Sequence, residues 1–285
     1  MLSILIPVYN YNVFPLVNEL VKQCDFIGID FEIICLDDAS NSPKNILNQE
    51  INLIPNCTFF VNESNLGRGK NINSLSLKAN YDWLLILDCD TFPAENNFIK
   101  KYVDVILDSK NTIIFGGIIY ENKKPESDQL LRWIYGNKRE TVSVLTSNLI
   151  IKKEIFLQHP FDESFTKYGY EDLLFFSVLK ANHFEISQIE NPTFHLNLET
   201  SIAFLNKTKI ALENLAFLYD SKKIIREESK IIASFEFLRK LKLTKVLAFF
   251  FKKNQTRIEQ NLFSLKPSLL LFDLYKLGYF CTLKK

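Results

Sequence analysis

Apolar residues come in short blocks along the first half of the chain, and each block stops at a polar cluster. Ser3 to Val8 is a continuous apolar run that ends at Tyr9-Asn10, as a buried parallel strand does. Phe31 to Leu36 stops at Asp37-Asp38-Ala39-Ser40, Thr58 to Val61 at Asn62-Glu63-Ser64-Asn65, and Trp83 to Leu87 at Asp88-Cys89-Asp90. Between these runs the spacing predicts helices over 14–21, 44–51 and 70–79. A further helix over 97–107 places Phe98, Tyr102, Val103, Ile106 and Leu107 on one stripe. Strand alternating with helix implies a mostly parallel sheet flanked by helices. Ligands of such sheets bind beyond the carboxyl ends of the strands, so the four polar clusters are expected along one crevice.

The second half is less regular. Strands are expected at 112–115, 118–120, 142–145, 148–151 and 184–189, a loop over 165–170, and helices over 171–181 and 200–219. The long helix would carry Phe204, Ile210, Leu215 and Leu218 on its apolar side. The chain has 285 residues, 47% of them hydrophobic, enough for a sizeable core. No basic segment precedes the first strand, which therefore does not read as a signal peptide. No stretch of 18 apolar residues suggests a membrane span. Five cysteines without a C-x-x-C pair argue against a disulfide framework or a cysteine zinc site, and fit a cytoplasmic protein with buried thiols.

Net charge is +1, which speaks against a nucleic-acid partner, but it conceals an asymmetry. Residues 236–285 hold eleven Lys and Arg against three acids, a net of +8, which leaves −7 on the first 235. This tail is also rich in Leu and Phe. It reads either as helices packed with a solvated basic face or as a surface for an anionic membrane. A domain over 1–220 and a basic helical extension over 221–285 follow.

Asp88-Cys89-Asp90 directs both carboxylates to one side if the strand continues through it, and paired carboxylates suit Mg²⁺ or Mn²⁺. A polar strand end with an Asx-turn is the plainer alternative. Gly169-Tyr170-Glu171-Asp172 opens an apolar helix, where the dipole favours acids and a general base could sit. His195 follows a strand. Asn65-Leu66-Gly67-Arg68-Gly69-Lys70 could bring backbone N–H groups and Lys70 to phosphates, though it matches neither common phosphate-loop pattern.

In this order the segments Ser3–Asn10, Asp37–Ser40, Asn65–Gly67, Leu87–Asp90, Gly169–Asp172 and His195 resemble the family 2 glycosyltransferases of the GT-A (Rossmann-like) fold, over about residues 1–200. The Gly-Tyr-Glu-Asp segment is similar to that of galactosyl- and N-acetylgalactosaminyltransferase-type domains. The resemblance implies a nucleotide pocket lined by Pro7, Val8, Tyr9 and Asn10, and a base contact from Asp38. It adds donor contacts at Asn65, Gly67, Lys70, Asp88, Cys89 and Asp90, and a metal on Asp88, Asp90 and His195. Asp172 takes the place of the catalytic base and Glu171 that of an acceptor contact. An Arg common in relatives is replaced by Ile72, so Lys70 or Arg68 would supply its charge to the diphosphate. Ala39 stands at a glycine-like position.

The activity implied is inverting, Mn²⁺- or Mg²⁺-dependent transfer of a hexosyl or N-acetylhexosaminyl group. The donor is a nucleotide-diphosphate sugar, a UDP-sugar first. The acceptor is a surface glycan or lipid-linked glycan in polysaccharide biosynthesis, reached by a peripheral protein on the inner face of the cell membrane. A nucleotidyltransferase and a non-catalytic glycan-binding scaffold of the same fold are the alternatives.

Overall fold

A computed structural model describes residues 1–108, 111–164 and 169–284. In chain order the elements are β1 (Leu2–Val8), α1 (Phe14–Ile27), β2 (Phe31–Asp37), α2 (Lys44–Asn48), β3 (Cys57–Val61), α3 (Arg68–Lys78), β4 (Trp83–Leu87), β5 (Thr91–Pro93) and α4 (Phe98–Asp108). They continue with β6 (Ile113–Phe115), β7 (Ile118–Ile119), α5 (Leu130–Tyr135), β8 (Asn148–Lys152), α6 (Lys153–Gln158), α7 (Glu171–Ala181), β9 (Ser187–Gln188) and β10 (Thr193–His195). Four helices end the chain: α8 (Ser201–Asp220), α9 (Lys230–Lys240), α10 (Thr244–Leu262) and α11 (Leu269–Leu283). None of the described helices is long and apolar enough to cross a membrane.

The chain forms two compact units. The first comprises residues 1–121, 139–166 and 178–197, and the second residues 122–138, 167–177 and 198–285. Along the chain the last crossing between the units falls at 197/198. The reason is α8, whose buried Leu205 joins Phe251, Ile258, Leu262, Phe272 and Tyr275 of the later helices in one core. Residues 221–285 are therefore part of a larger helical unit that starts upstream of them.

The first unit is built on a seven-stranded sheet of order β3-β2-β1-β4-β8-β6-β9. β1 to β4 are parallel, and β8 runs antiparallel to both β4 and β6. All seven residues of β1 are buried, which is why this strand reads as a continuous apolar run rather than an alternating one. The main core joins β1, β2 and β4 to α1 and α4 through residues such as Ile4, Ile33, Leu85, Leu20 and Phe98. On α4 the buried stripe is Phe98, Ile99, Tyr102, Val103 and Ile106, whereas Leu107, expected on it, is exposed. A small second sheet, β5-β10-β7, brings Thr193–His195 alongside Thr91–Pro93. Asn148 ties the two sheets: its side chain accepts from Tyr102 Oη at 2.6 Å and donates to the carbonyls of Gly117 and Asn191.

Two strand expectations change. Residues 142–145 form turns and bends, and in 184–189 only Ser187–Gln188 pairs. In both cases apolar content came without a neighbouring strand of matching length. The loop expected over 165–170 lies outside the described residues up to position 168.

In the second unit, Ser229 and Ser268 cap α9 and α11 by accepting from Ile232 N and Leu271 N. α10 and α11 pack so closely that a Cβ at Gly278 would lie 2.7 Å from the Phe251 ring. Tyr275 Oη and Gln255 Nε2 donate to Glu259, at 2.6 and 2.9 Å, and Lys209 lies 3.4 Å away. Burial pushes the Glu259 carboxyl up, but these donors outweigh it and hold the group below its usual range. A depressed folded-state value stabilises above the ordinary carboxylate range and is lost as pH falls through the lowered value. The thermal midpoint of the protein is therefore expected to fall on acidification below that range. Glu259→Gln should lower the neutral-pH midpoint and flatten this acid limb, as pH-dependent thermal melts would show.

Candidate active site

The carboxyl ends of β1, β2, β3 and β4 carry the polar clusters, as parallel pairing in register requires. Val8 pairs with Asp37, and Asp37 with Val61. Of the four residues expected to line the nucleotide pocket, Pro7 and Val8 are buried within the strand, Val8 in the main core. Only Tyr9, 54% exposed, and Asn10 open outward. The loop they start is held from α2. Asn48 accepts from Val13 N and donates to the Tyr11 carbonyl, and Lys44 donates to the Asn10 carbonyl at 3.0 Å.

Asp38 has a different place from the one expected. Its carboxylate is 4% exposed and accepts from Leu66 N and Gly67 N, both at 2.8 Å, and from Asn62 Nδ2 at 3.1 Å. It anchors the Asn65–Gly67 loop, to which Asn65 adds a bond onto the Asp38 carbonyl. Two of the three bonds fall on Oδ1 and one on Oδ2. Asp38→Ala leaves two backbone N–H groups without their charged acceptor. Bonds to charged groups contribute roughly 1.5–3 kcal/mol each, so a loss of about 3 kcal/mol is expected, read as a lower urea midpoint. Ala39 has φ +55°, in the left-handed region, as its glycine-like place predicts.

The loop leads into α3, whose first residue is Arg68. Arg68 Nε and Nη2 both reach Asp88 Oδ1, at 3.0 and 2.7 Å, and Nη1 donates to Thr146 Oγ1 at 2.9 Å. Ile72 is fully buried, and Arg68 stands one helical turn before it. Lys70 is half-buried at the same helix start. Asn73 is a buried structural residue, doubly bonded to the Phe161 backbone.

Beyond β4 the backbone turns instead of extending. Thr91 N and Oγ1 both donate to the Asp88 carbonyl, at 3.1 and 2.8 Å. The alternation expected of an extended Asp-x-Asp therefore does not apply, and the two carboxylates have different neighbours. Asp88 goes to Arg68, while Asp90 Oδ2 lies 3.7 Å from His195 Nε2. Cys89 packs against the main core, where burial raises its thiol well above the usual value. The Tyr11 hydroxyl is raised by burial and then by Asp90, which places that ring near the same carboxylate.

His195 sits on β10 opposite Thr91, and the ring of Tyr120 stacks on it at 5.4 Å. Its Nδ1 is buried without a hydrogen-bond partner, and the 3.7 Å to Asp90 is longer than a hydrogen bond. Nε2, the nitrogen beside Asp90, is the one that could share a cation with that carboxylate. Among the described residues no group of three His, Cys, Asp or Glu side chains gathers to hold a metal. The protein offers two donors, Asp90 and His195. Mg²⁺-type sites commonly use one or two protein ligands and take the rest from substrate phosphates and water. The donor set fits a divalent cation on those terms, with Asp88 one step removed.

Glu171 and Asp172 belong to the second unit. They open α7 after a sharp turn in which Gly169 and Tyr170 have φ +102° and +67°. A Cβ at Gly169 would run into Ala211 of α8. The Glu171 carboxylate accepts from Gly169 N at 2.8 Å and so shapes the turn. A positive φ at a bulky residue is costly and recurs at functional sites.

The model of the family described as "Glycosyl transferase family 2" matches residues 3–180, more than half of the chain. The chain belongs to this family. Asp88, Asp90 and Asp172 lie within the matched span and His195 beyond it. No curated protein sequence matches significantly. Among solved structures, TarS 1–349 of S. aureus aligns with TM-score 0.51 and 21% identity, covering 74% of this chain and 64% of that one. Glucosyl-3-phosphoglycerate synthase of Mycobacterium tuberculosis, solved with Mn²⁺, UDP and phosphoglyceric acid, aligns at 0.51 and 16%, covering 76% and 78%. The mannosyltransferase PcManGT of Pyrobaculum calidifontis, solved with GDP-Man and Mn²⁺, aligns at 0.54 and 12%, covering 77% and 64%. The chain thus spans just under two thirds of the length of TarS 1–349. At these identities the likeness concerns the fold, a mixed α/β GT-A architecture with a helical C-terminal part.

Tyr120, Thr146 and Asn48 join the site without any local sequence signal, since each is brought in from a distant segment. Arg68 had one, its place just after the Asn-Leu-Gly loop.

Proposed function

We propose an inverting transferase that moves a hexosyl or N-acetylhexosaminyl group from a UDP-sugar to a hydroxyl of a surface or lipid-linked glycan. The observation that carries the donor site is the Asp90–His195 pair at the carboxyl end of β4, with His195 Nε2 3.7 Å from the Asp90 carboxylate. Together with donor phosphate oxygens, this pair would hold Mn²⁺ or Mg²⁺, which would act as a Lewis acid on the leaving diphosphate. A borderline imidazole donor suits Mn²⁺ at least as well as Mg²⁺.

Arg68 orients Asp88 and adds positive charge beside the diphosphate, and Lys70 adds a second charge from the same helix start. Tyr9, Asn10 and the Asn65–Gly67 loop frame the nucleoside. Asp172 accepts the acceptor hydroxyl proton while that oxygen bonds to the anomeric carbon and the bond to the diphosphate breaks. This single displacement inverts the centre. Glu171 fixes the turn that presents Asp172, and through it the acceptor. The Gly-Tyr-Glu-Asp resemblance supports a galactosyl- or N-acetylgalactosaminyl-type donor.

Calorimetric titration of UDP, GDP and CDP, each with and without Mn²⁺, tests this reading. UDP binding that requires Mn²⁺ is the expected result. Tight binding of another nucleotide would overturn the UDP assignment. Absence of binding would favour the scaffold alternative, and release of pyrophosphate on turnover a nucleotidyltransferase.

A further inference from the structure

The hairpin of α9 and α10 presents an uncovered surface that the transfer reaction does not use. On α10, Phe251, Ile258 and Leu262 are buried in the core of the second unit. The opposite face carries Val246, Phe249 and Phe250, which are 60%, 71% and 51% exposed. Phe237 of α9, at 59%, and Leu241 in the turn, at 51%, continue the patch. Three exposed aromatic rings within 14 residues are expensive in water, and scattered surface leucines do not account for them.

The charge on the same segment has one sign. From Phe237 to Lys253 there are six Lys and Arg and no carboxylate. Lys245 and Lys253 lie one helical turn before and after Phe249, on its own face. An apolar strip with cations along its flanks is the pattern of a helix lying in a membrane interface, its rings among the acyl chains and its ammonium groups at phosphates. A second copy of the chain is a poor occupant, because a two-fold contact would set one cationic patch against an identical one.

We infer that the α9–α10 hairpin is a docking surface for an anionic phospholipid bilayer, one that would hold the protein peripherally on the inner face of the cell membrane. This does not depend on the transfer reaction, and it can hold or fail separately from it.

Sedimentation of the full chain with vesicles tests it, using phosphatidylcholine alone and phosphatidylcholine mixed equally with phosphatidylglycerol. Binding to the anionic vesicles only, weakening with salt, is expected. Each Lys near the surface is worth about 1 kcal/mol, or about fivefold in affinity. The triple variant Lys245→Gln/Lys252→Gln/Lys253→Gln should therefore bind about 100-fold more weakly. Phe249→Ser/Phe250→Ser should lose binding at unchanged charge. All five side chains are exposed, so unchanged circular dichroism and thermal midpoints are expected of both variants. Equal binding of the unmodified protein to both vesicle types would overturn the inference, as would undiminished binding of the triple variant. So would absent vesicle binding with a Phe249-dependent dimer.

Discussion

Asp172→Asn is expected to lower kcat by roughly 10²–10⁴-fold, the usual contribution of a positioned general base. UDP affinity in the presence of Mn²⁺ should stay within about twofold. The substitution keeps the shape of the side chain and removes its capacity to take a proton, so the loss should appear in turnover and not in donor binding. Asp172 stands in the first turn of α7, immediately after the positive-φ pair Gly169–Tyr170. The turn itself is held by Glu171 rather than Asp172 through the bond from Gly169 N, so Asp172→Asn leaves that support in place. Steady-state kinetics beside calorimetry on the same variant separate the two effects. Unchanged kcat would remove Asp172 from the mechanism.

Asp90→Ala should reduce Mn²⁺-dependent UDP affinity by at least about 100-fold, since loss of even an outer-shell partner of a metal ligand costs about 10–100-fold. His195→Ala should act in the same direction, because it removes the imidazole whose Nε2 lies beside Asp90. Asp88→Ala makes a useful contrast. Its carboxylate is paired with Arg68, so its loss should perturb the diphosphate side through a released guanidinium and reduce metal affinity less. Equal metal affinities for the unmodified protein and Asp90→Ala would refute the assignment of the pair. Calorimetry with Mn²⁺ and UDP reads all three variants.

The sequence alone determined much of the first unit. A buried parallel strand must be apolar on both faces, so β1 to β4 announce themselves as uninterrupted runs, and their carboxyl ends as the polar clusters that follow. The order of these clusters was enough to indicate the fold family. Composition likewise exposed the basic, Phe-rich tail.

Only the tertiary structure decided what each polar side chain is used for. Asp37 and Asp38 are adjacent acids in sequence, yet Asp37 closes its own turn onto Ser40 while Asp38 holds a loop nearly thirty residues away. Asp88 and Asp90 looked equivalent until the turn at Thr91 sent one to Arg68 and left the other beside His195. The boundary at 197/198 and the strands missing at 142–145 depend in the same way on which distant partner a segment meets. Periodicity reports whether a face is buried, because that is a local property of the chain. It carries no information on which distant donor satisfies a carboxylate, because that depends on residues the fold alone brings together.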